Sequence, residues 1–252
     1  MTATTVNHIV PRTSVRSIVV VSAGIGDPSS SKLLADRLAQ KTLDLLRERG
    51  VEAQVATIEL RDLVQEIGRA TVSGFIGQDL RPAVERLATA DAVIAATPVY
   101  KAGVSGLFKS FVDLLDNDLL IAKPVAVTAT AGSARHALVP DEQMRPLFAF
   151  LRALVIPTAL FAAPEDWADR ALGTRIERAA TELAALIHSG VATTIADGSW
   201  TRYQHEFDSI AQPTGAEAQV ASPADTEFTG IDFDSDLMRL ATGGTPAAAD
   251  RS

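Results

Sequence analysis

Five short apolar runs alternate with stretches of helical periodicity along this chain, and that alternation leaves few folds open. The runs are Ile18-Val19-Val20-Val21, the alternating set Val51, Ala53, Val55 and Thr57, then Ala92-Val93-Ile94-Ala95-Ala96, Val125-Ala126-Val127, and a last one near 158–162. Runs of this length, rich in β-branched residues, read as strands; all but the alternating second one read as buried on both faces. Between them apolar residues recur every three or four positions, as in Leu34, Leu38 and Leu45, in Leu107, Phe108, Phe111, Leu114 and Leu115, and in Leu172, Ile176, Leu183 and Ile187. Strand and helix in turn predict a parallel sheet covered on both faces by right-handed crossovers. The expected helices cover about 31–49 with Gly50 as cap, 80–89, a stretch starting at 105, 141–154 and 169–188; the segment 61–77 is mixed and irregular.

A sheet of this kind needs apolar material, and 47% hydrophobic residues in 252 supply it. The pattern holds over 16–190, which is expected to form one domain; residues 1–15 read as a flexible lead. From Val191 onward it fails. Ten acidic residues stand there against three arginines, so most of the formal charge of -8 lies in an acidic, largely irregular tail, 191–252. Aromatic islands at Trp200, Tyr203, Phe207, Phe228 and Phe233 leave a second reading open, in which 200–210 or 231–240 docks on the body or on a partner.

Several functions drop out at once. No basic cluster is dense enough for nucleic acid. The absence of cysteine removes disulfides and thiolate chemistry, and His8, His136, His188 and His205 show no metal-ligand spacing and no triad order. No apolar span approaches membrane length and no signal-like run opens the chain, so a soluble, cytoplasmic protein is expected. Redox chemistry, if any, is borrowed from a cofactor.

What remains informative is the loops. The strand 92–96 is expected to stop at Thr97, because Pro98 cannot continue a ladder and Gly103 permits a turn; a helix restarts at Ser105. Five strands suggest the flavodoxin-like order 2-1-3-4-5, a three-layer sandwich in which the loops after the first and third strands line one crevice. The first of these, 22–31, offers Ser22, Gly24, Ser29, Ser30 and Ser31 for an anion at a helix start. The second offers Thr97, Pro98, Val99, Tyr100 and Lys101; a third small-residue loop, Thr130-Ala131-Gly132-Ser133, follows the fourth strand. A ligand with a phosphate at one end and a planar polar ring at the other fits both demands, and flavin mononucleotide (FMN) is of that kind. Duller readings exist for each: the serines as helix caps, Tyr100 as a packed surface aromatic, Lys101 as a solvated charge.

The run from Ala96 to Ser110, ATPVYKAGVSGLFKS, resembles the central motif of the NADPH-dependent FMN reductase family, TPVY followed by SG and Lys. The loop 22–31 is similar to that family's phosphate loop, and Thr130 to Ser133 with His136 resembles its third flavin loop. The likeness spans 16–190. It implies a flavodoxin-like fold, dimers or tetramers, and hydride transfer from NADPH or NADH to FMN. It places the phosphate on Ser29, Ser30 and Ser31 and the ring against Pro98 to Lys101, with Thr130 to Ser133 at the far edge. Many members carry an Arg in the first loop where this chain has Asp27 and Pro28, which leaves Lys101 and Arg135 as candidates for gripping the nicotinamide nucleotide's phosphate. The acidic tail is similar to that of an actinobacterial-type subgroup, which implies delivery of reduced FMN to a luciferase-like flavin-dependent monooxygenase. Two other readings share the scaffold: a quinone or azo-type reductase with tightly bound FMN, and a non-enzymatic electron carrier. No catalytic base is expected, since hydride transfer needs positioning above all.

Overall fold

The structure, a computed structural model, describes residues 15–200; the expected lead before Val15 and the tail beyond Trp200 lie outside the described residues. The strands are β1 (Arg16–Ser22), β2 (Ala53–Glu59), β3 (Ala92–Tyr100), β4 (Gly103–Val104), β5 (Pro124–Thr130), β6 (Leu154–Val155) and β7 (Leu160–Ala162). The helices are α1 (Ser30–Glu48), α2 (Val64–Ser73), α3 (Arg81–Thr89), α4 (Gly106–Val112), α5 (Arg145–Phe150), α6 (Arg170–Ser189) and α7 (Val191–Ile195). The order β2-β1-β3-β5-β6, with β7 also on β5, is the expected flavodoxin-like path.

Its strand count differs from expectation. The sheet has seven strands because β4 folds back antiparallel on β3 and the last position is divided between β6 and β7. Val155 lies opposite Val125 but Leu160 lies opposite Thr128, so two extra residues are taken up between them. Pro157 sits in that bulge, where a missing N–H does no harm. Side chains take over the backbone groups: Glu182 accepts from the Thr158 N–H (2.8 Å) and hydroxyl (2.7 Å), and Arg145 donates to the carbonyls of Ile156 (2.9 Å) and Pro157 (3.0 Å).

Alternate residues of the central strands feed two cores. Val19, Val21, Val93, Ala95, Val125 and Val127 face one, filled by Ile67, Leu87, Phe108, Phe111 and Phe148 from α2, α3, α4 and α5. Ile18, Val20, Ile94 and Ala126 face the other, filled by Leu34 and Leu38 of α1 and Leu172, Ala180 and Leu183 of α6. Three layers result, as the period-two pattern of the strands requires. At the strands' starting edge Asp91 accepts from Arg16 (2.8 Å) and from the Ser17 N–H (2.7 Å), which pins the register of β1 on β3. Gly50, at φ 71°, turns the chain off α1 as expected.

Three other segments depart from expectation. The irregular 61–77 contains a 3-10 turn and α2, whose buried side is only Ile67 and Ala70, too thin a stripe to read from periodicity. The helix expected over 141–154 is a π-helical turn, Pro140–Met144, then the short α5, with Leu154 already in β6. Past Gly190 the path stays helical through α7 to Trp200, whose ring lies over the Arg152 guanidinium at 5.6 Å. Among the described residues no single helix is long and apolar enough to cross a membrane.

After β7 a 3-10 turn, Pro164–Ala168, leads to α6, and Asp166 organises it by accepting from the Ala163 N–H (2.8 Å) and from Arg175 (2.8 Å). These donors, Ala163 first and Arg175 second, hold the Asp166 carboxyl below its ordinary value. A depressed folded-state value stabilises the fold above the ordinary aspartate range and stops doing so as pH falls through the folded-state value. Asp166→Ala should therefore cost about 1 kcal/mol at neutral pH. Urea titrations should show that gap closing in acid, and a gap independent of pH would contradict the assignment.

Candidate functional site

The carboxyl ends of β1, β3 and β5 meet because the registers align them. Ser22 lies opposite Ala96, Thr97 opposite Ala129 and Pro98 opposite Thr130. The loops that follow these strands therefore open at one end of the sheet, as expected.

The first loop is drawn tight around its serines. Ser29 caps α1 by accepting from the Lys32 N–H (3.2 Å), and Ser22 Oγ lies 3.4 Å from the Gly24 N. Gly24 is buried, and a Cβ there would come within 1.8 Å of Ser29 Oγ, so glycine leaves the Ser29 side chain room to hold its capping position. Ser31 and Thr130 are both buried, their hydroxyls 2.6 Å apart, and Ser30 Oγ lies 3.2 Å from the same Thr130 oxygen. The first and third loops are thus joined through hydroxyl groups.

Their surroundings favour an anion. The first turn of the 19-residue α1 holds no acidic residue, and its N-terminus presents N–H groups with the positive end of the helix dipole. Lys32 sits in that turn, bonded to Asp36 at 2.8 Å, and this bond raises its pKa above the ordinary lysine value. A guanidinium also reaches the loop, although the sequence puts none inside it: Arg61, from the turn after β2, donates to the Gly26 carbonyl at 3.4 Å while paired with Glu59.

The second loop is not a loop at its start. β3 runs through Thr97 and Pro98 to Tyr100, then doubles back. Pro98 is tolerated for a positional reason: the Ala96 carbonyl still accepts from Ala23, and two residues on, the same side of the strand has outrun β1. The turn itself falls at Lys101 (φ 53°) and Ala102 (φ 65°), a two-residue hairpin with both central residues left-handed, and Gly103 lies beyond it in β4.

The structure sorts the expected site residues. Ser29, Ser30, Ser31 and Thr130 come together, with Ser22 and Gly24 beneath them. Tyr100, 48% exposed, and Lys101 lie at the tip of the hairpin, and Ala131, Gly132 and Ser133 follow the end of β5 in the third loop. The side chains of Thr97 and Val99 turn inward. Thr97 accepts from the Ser105 N–H (3.1 Å), and Val99 packs in the core, so each can offer a ligand only backbone. Lys101 and Arg135 are exposed and have no ion-pair partner among the described residues.

One residue escaped the sequence reading altogether. Gln143, from the π-helical turn, accepts from the Val104 N–H (3.1 Å) and donates to the Ala102 carbonyl (2.9 Å). Nothing local marked it, because its partners lie about forty positions away. A depression of about 520 Å³ beside Leu43, Arg47 and Val51 lies at the opposite end of the sheet, where none of these loops reaches.

The sequence profile of the NADPH-dependent FMN reductases matches residues 16–168, more than half of the chain. The chain belongs to that family. It is 34% identical over 168 residues to the NADH-dependent FMN reductase SfnF of Pseudomonas fluorescens, covering 67% of this chain and 87% of that one. It is 33% identical over 173 residues to an FMN reductase (NADPH) of Pseudomonas aeruginosa, covering 69% and 90%. Among solved structures it resembles an oxidoreductase from Corynebacterium diphtheriae at 41% identity and a TM-score of 0.68, covering 69% of this chain and 98% of that one. As a family member it is an NAD(P)H-dependent oxidoreductase of FMN. The residues at the carboxyl end of the sheet suit that cofactor: hydroxyls and N–H groups gather at an acid-free helix start, and an exposed tyrosine ends the neighbouring strand β3.

Proposed function

We propose that FMN lies across the carboxyl ends of β1, β3 and β5 while a nicotinamide dinucleotide passes it a hydride. The join of the first and third loops through Ser30, Ser31 and Thr130 carries this reading, because it builds one hydroxyl-lined cradle at the start of α1. In this arrangement Ser29, Ser30 and Ser31 hold the phosphate with Gly24 behind them. The backbone of Pro98 and Val99 and the ring of Tyr100 form the floor beneath the isoalloxazine. Ala131, Gly132 and Ser133 border its far edge. When bound, FMN supplies the acceptor for the hydride, with a solvent proton completing its reduction. The protein's share is orientation: it fixes the phosphate end, presents a flat surface, and leaves the other ring face open to the nicotinamide. Lys101 and Arg135, neither with an ion-pair partner among the described residues, would meet that nucleotide's phosphates.

Reduced FMN released from such a site is the substrate that a flavin-dependent monooxygenase requires, and we place this chain upstream of one. A homodimer or homotetramer agrees with the exposed apolar side chains Val72 (90%) and Phe75 (73%) at the end of α2. Anaerobic stopped-flow mixing of protein, FMN and each nicotinamide tests the reaction. Loss of nicotinamide absorbance should rise with added FMN. Purified protein that stays yellow and ignores free FMN would favour the quinone or azo-type reductase instead. Tyr100→Ala should weaken FMN binding about tenfold, the scale of losing one aromatic stacking partner, with unfolding unchanged. Unaltered affinity and kinetics would take Tyr100 out of the site.

A further inference from the structure

The left-handed turn at Lys101-Ala102 is unusual in its residues. Hairpins of this kind favour Asn-Gly, because at positive φ a Cβ crowds the following carbonyl oxygen, a cost that glycine escapes and that asparagine offsets by local hydrogen bonding. Such a conformation persists where its surroundings over-determine it. Here the β3–β4 pairing closes the turn and one distant side chain braces it. Gln143 holds the outgoing limb of the turn with both ends of its amide, taking the Val104 N–H with its carbonyl oxygen and giving an amide proton to the Ala102 carbonyl. Gly103 makes room for it: a Cβ there would stand 3.1 Å from Gln143 Oε1. Gln143 is itself presented by a π-helical turn, Pro140–Met144, a geometry that aims a side chain where an α-helix would not.

We propose that Gln143 is a positioning residue for flavin reduction, setting the crest of the β3–β4 hairpin so that Tyr100 and the adjoining backbone present one fixed surface to the isoalloxazine. This rests on the placement of FMN against that hairpin. Gln143 does not touch the ligand; it acts through the turn.

The amide is needed for both of its ends, which gives a test that simple loss of packing would fail. A glutamic acid at this position reproduces the donor and the acceptor while protonated. Once ionised it has only acceptors, and one of them faces the Ala102 carbonyl. FMN affinity of Gln143→Glu, measured by fluorescence quenching, should stay near wild type at about pH 5.5 and fall about tenfold by about pH 8, since an acceptor facing an acceptor raises the carboxyl's pKa toward this range. The wild type should change far less. The charged groups on neighbouring elements are Lys101, Lys109, Arg135, His136, Asp141, Glu142 and Arg145; they are common to both proteins, so the difference between the two profiles isolates position 143. Gln143→Ala should lose about tenfold at every pH, and adding Ala102→Gly should restore most of it, because without a Cβ the left-handed turn carries no steric penalty for a clamp to offset.

Identical pH profiles for wild type and Gln143→Glu, or wild-type affinity in Gln143→Ala, would overturn the proposal. Should Gln143→Ala fail to fold, the pH comparison decides alone. Failure of the underlying placement reads differently: Tyr100→Ala would then leave FMN binding untouched in the wild-type background, whatever happens at 143.

Discussion

Gly24→Ala is expected to weaken FMN binding by at least about tenfold while costing the fold about 1 kcal/mol. The cause is steric and local. A methyl group at that position would lie 1.8 Å from Ser29 Oγ and 3.0 Å from Ser29 Cβ, so the serine must swing aside. It then no longer caps the Lys32 N–H, and the loop opens where N–H groups and hydroxyls are held together. The loss in stability is that of one helix cap; the loss in binding is larger because an anion at a helix start depends on all these donors at once. Flavin titration and thermal unfolding on the same sample separate the two. Placing the alanine in a Ser29→Gly background removes the clash, so there the additional loss should vanish. An equal loss in both backgrounds would show that Ser29 is not the obstacle.

The largest effect on stability is expected at Phe108. Its side chain is fully buried on α4, 6.4 Å from the Phe148 ring across the core. Truncation to alanine should cost about 3–5 kcal/mol, the sum of lost burial and the cavity left behind. For a domain of this size that is a fall in melting temperature of roughly 10 °C. Because α4 is capped by Ser105, which is bonded in turn to Thr97, the hairpin end of β3 should loosen before the rest of the sheet. Hydrogen exchange at Val99 and Val104 reports this directly. A melting shift below about 2 °C would mean that the core closes over the gap.

The sheet was legible in the sequence because its central strands are apolar on both faces, and few arrangements bury such runs between amphipathic helices. The meeting of the first and third loops was legible for a related reason: Ser30, Ser31 and Thr130 fall where strands end, and parallel topology brings those ends together. What stayed hidden depended on contacts distant in sequence or on a residue used against its habit. Pro98 reads as the end of a strand, yet it continues one because its neighbour β1 has already stopped. Lys101 and Ala102 do not read as a left-handed turn, and Gln143, which holds them there, carries no local signal at all. Thr97 looked like a ligand group, but its hydroxyl serves Ser105, a bond that exists only once the hairpin has formed. The helix over 64–73 was missed because two buried side chains make too faint a stripe.

The broken last position of the sheet has a bearing on how copies of this chain can meet. A border strand with free N–H and carbonyl groups invites another chain to add itself, which is the start of many aggregates. Between β6 and β7 the invitation is withdrawn: Glu182 already occupies Thr158, and Arg145 occupies Ile156 and Pro157. An incoming strand would find no ladder to climb along that stretch, so molecules touching there must join by their side chains and not by lengthening the sheet.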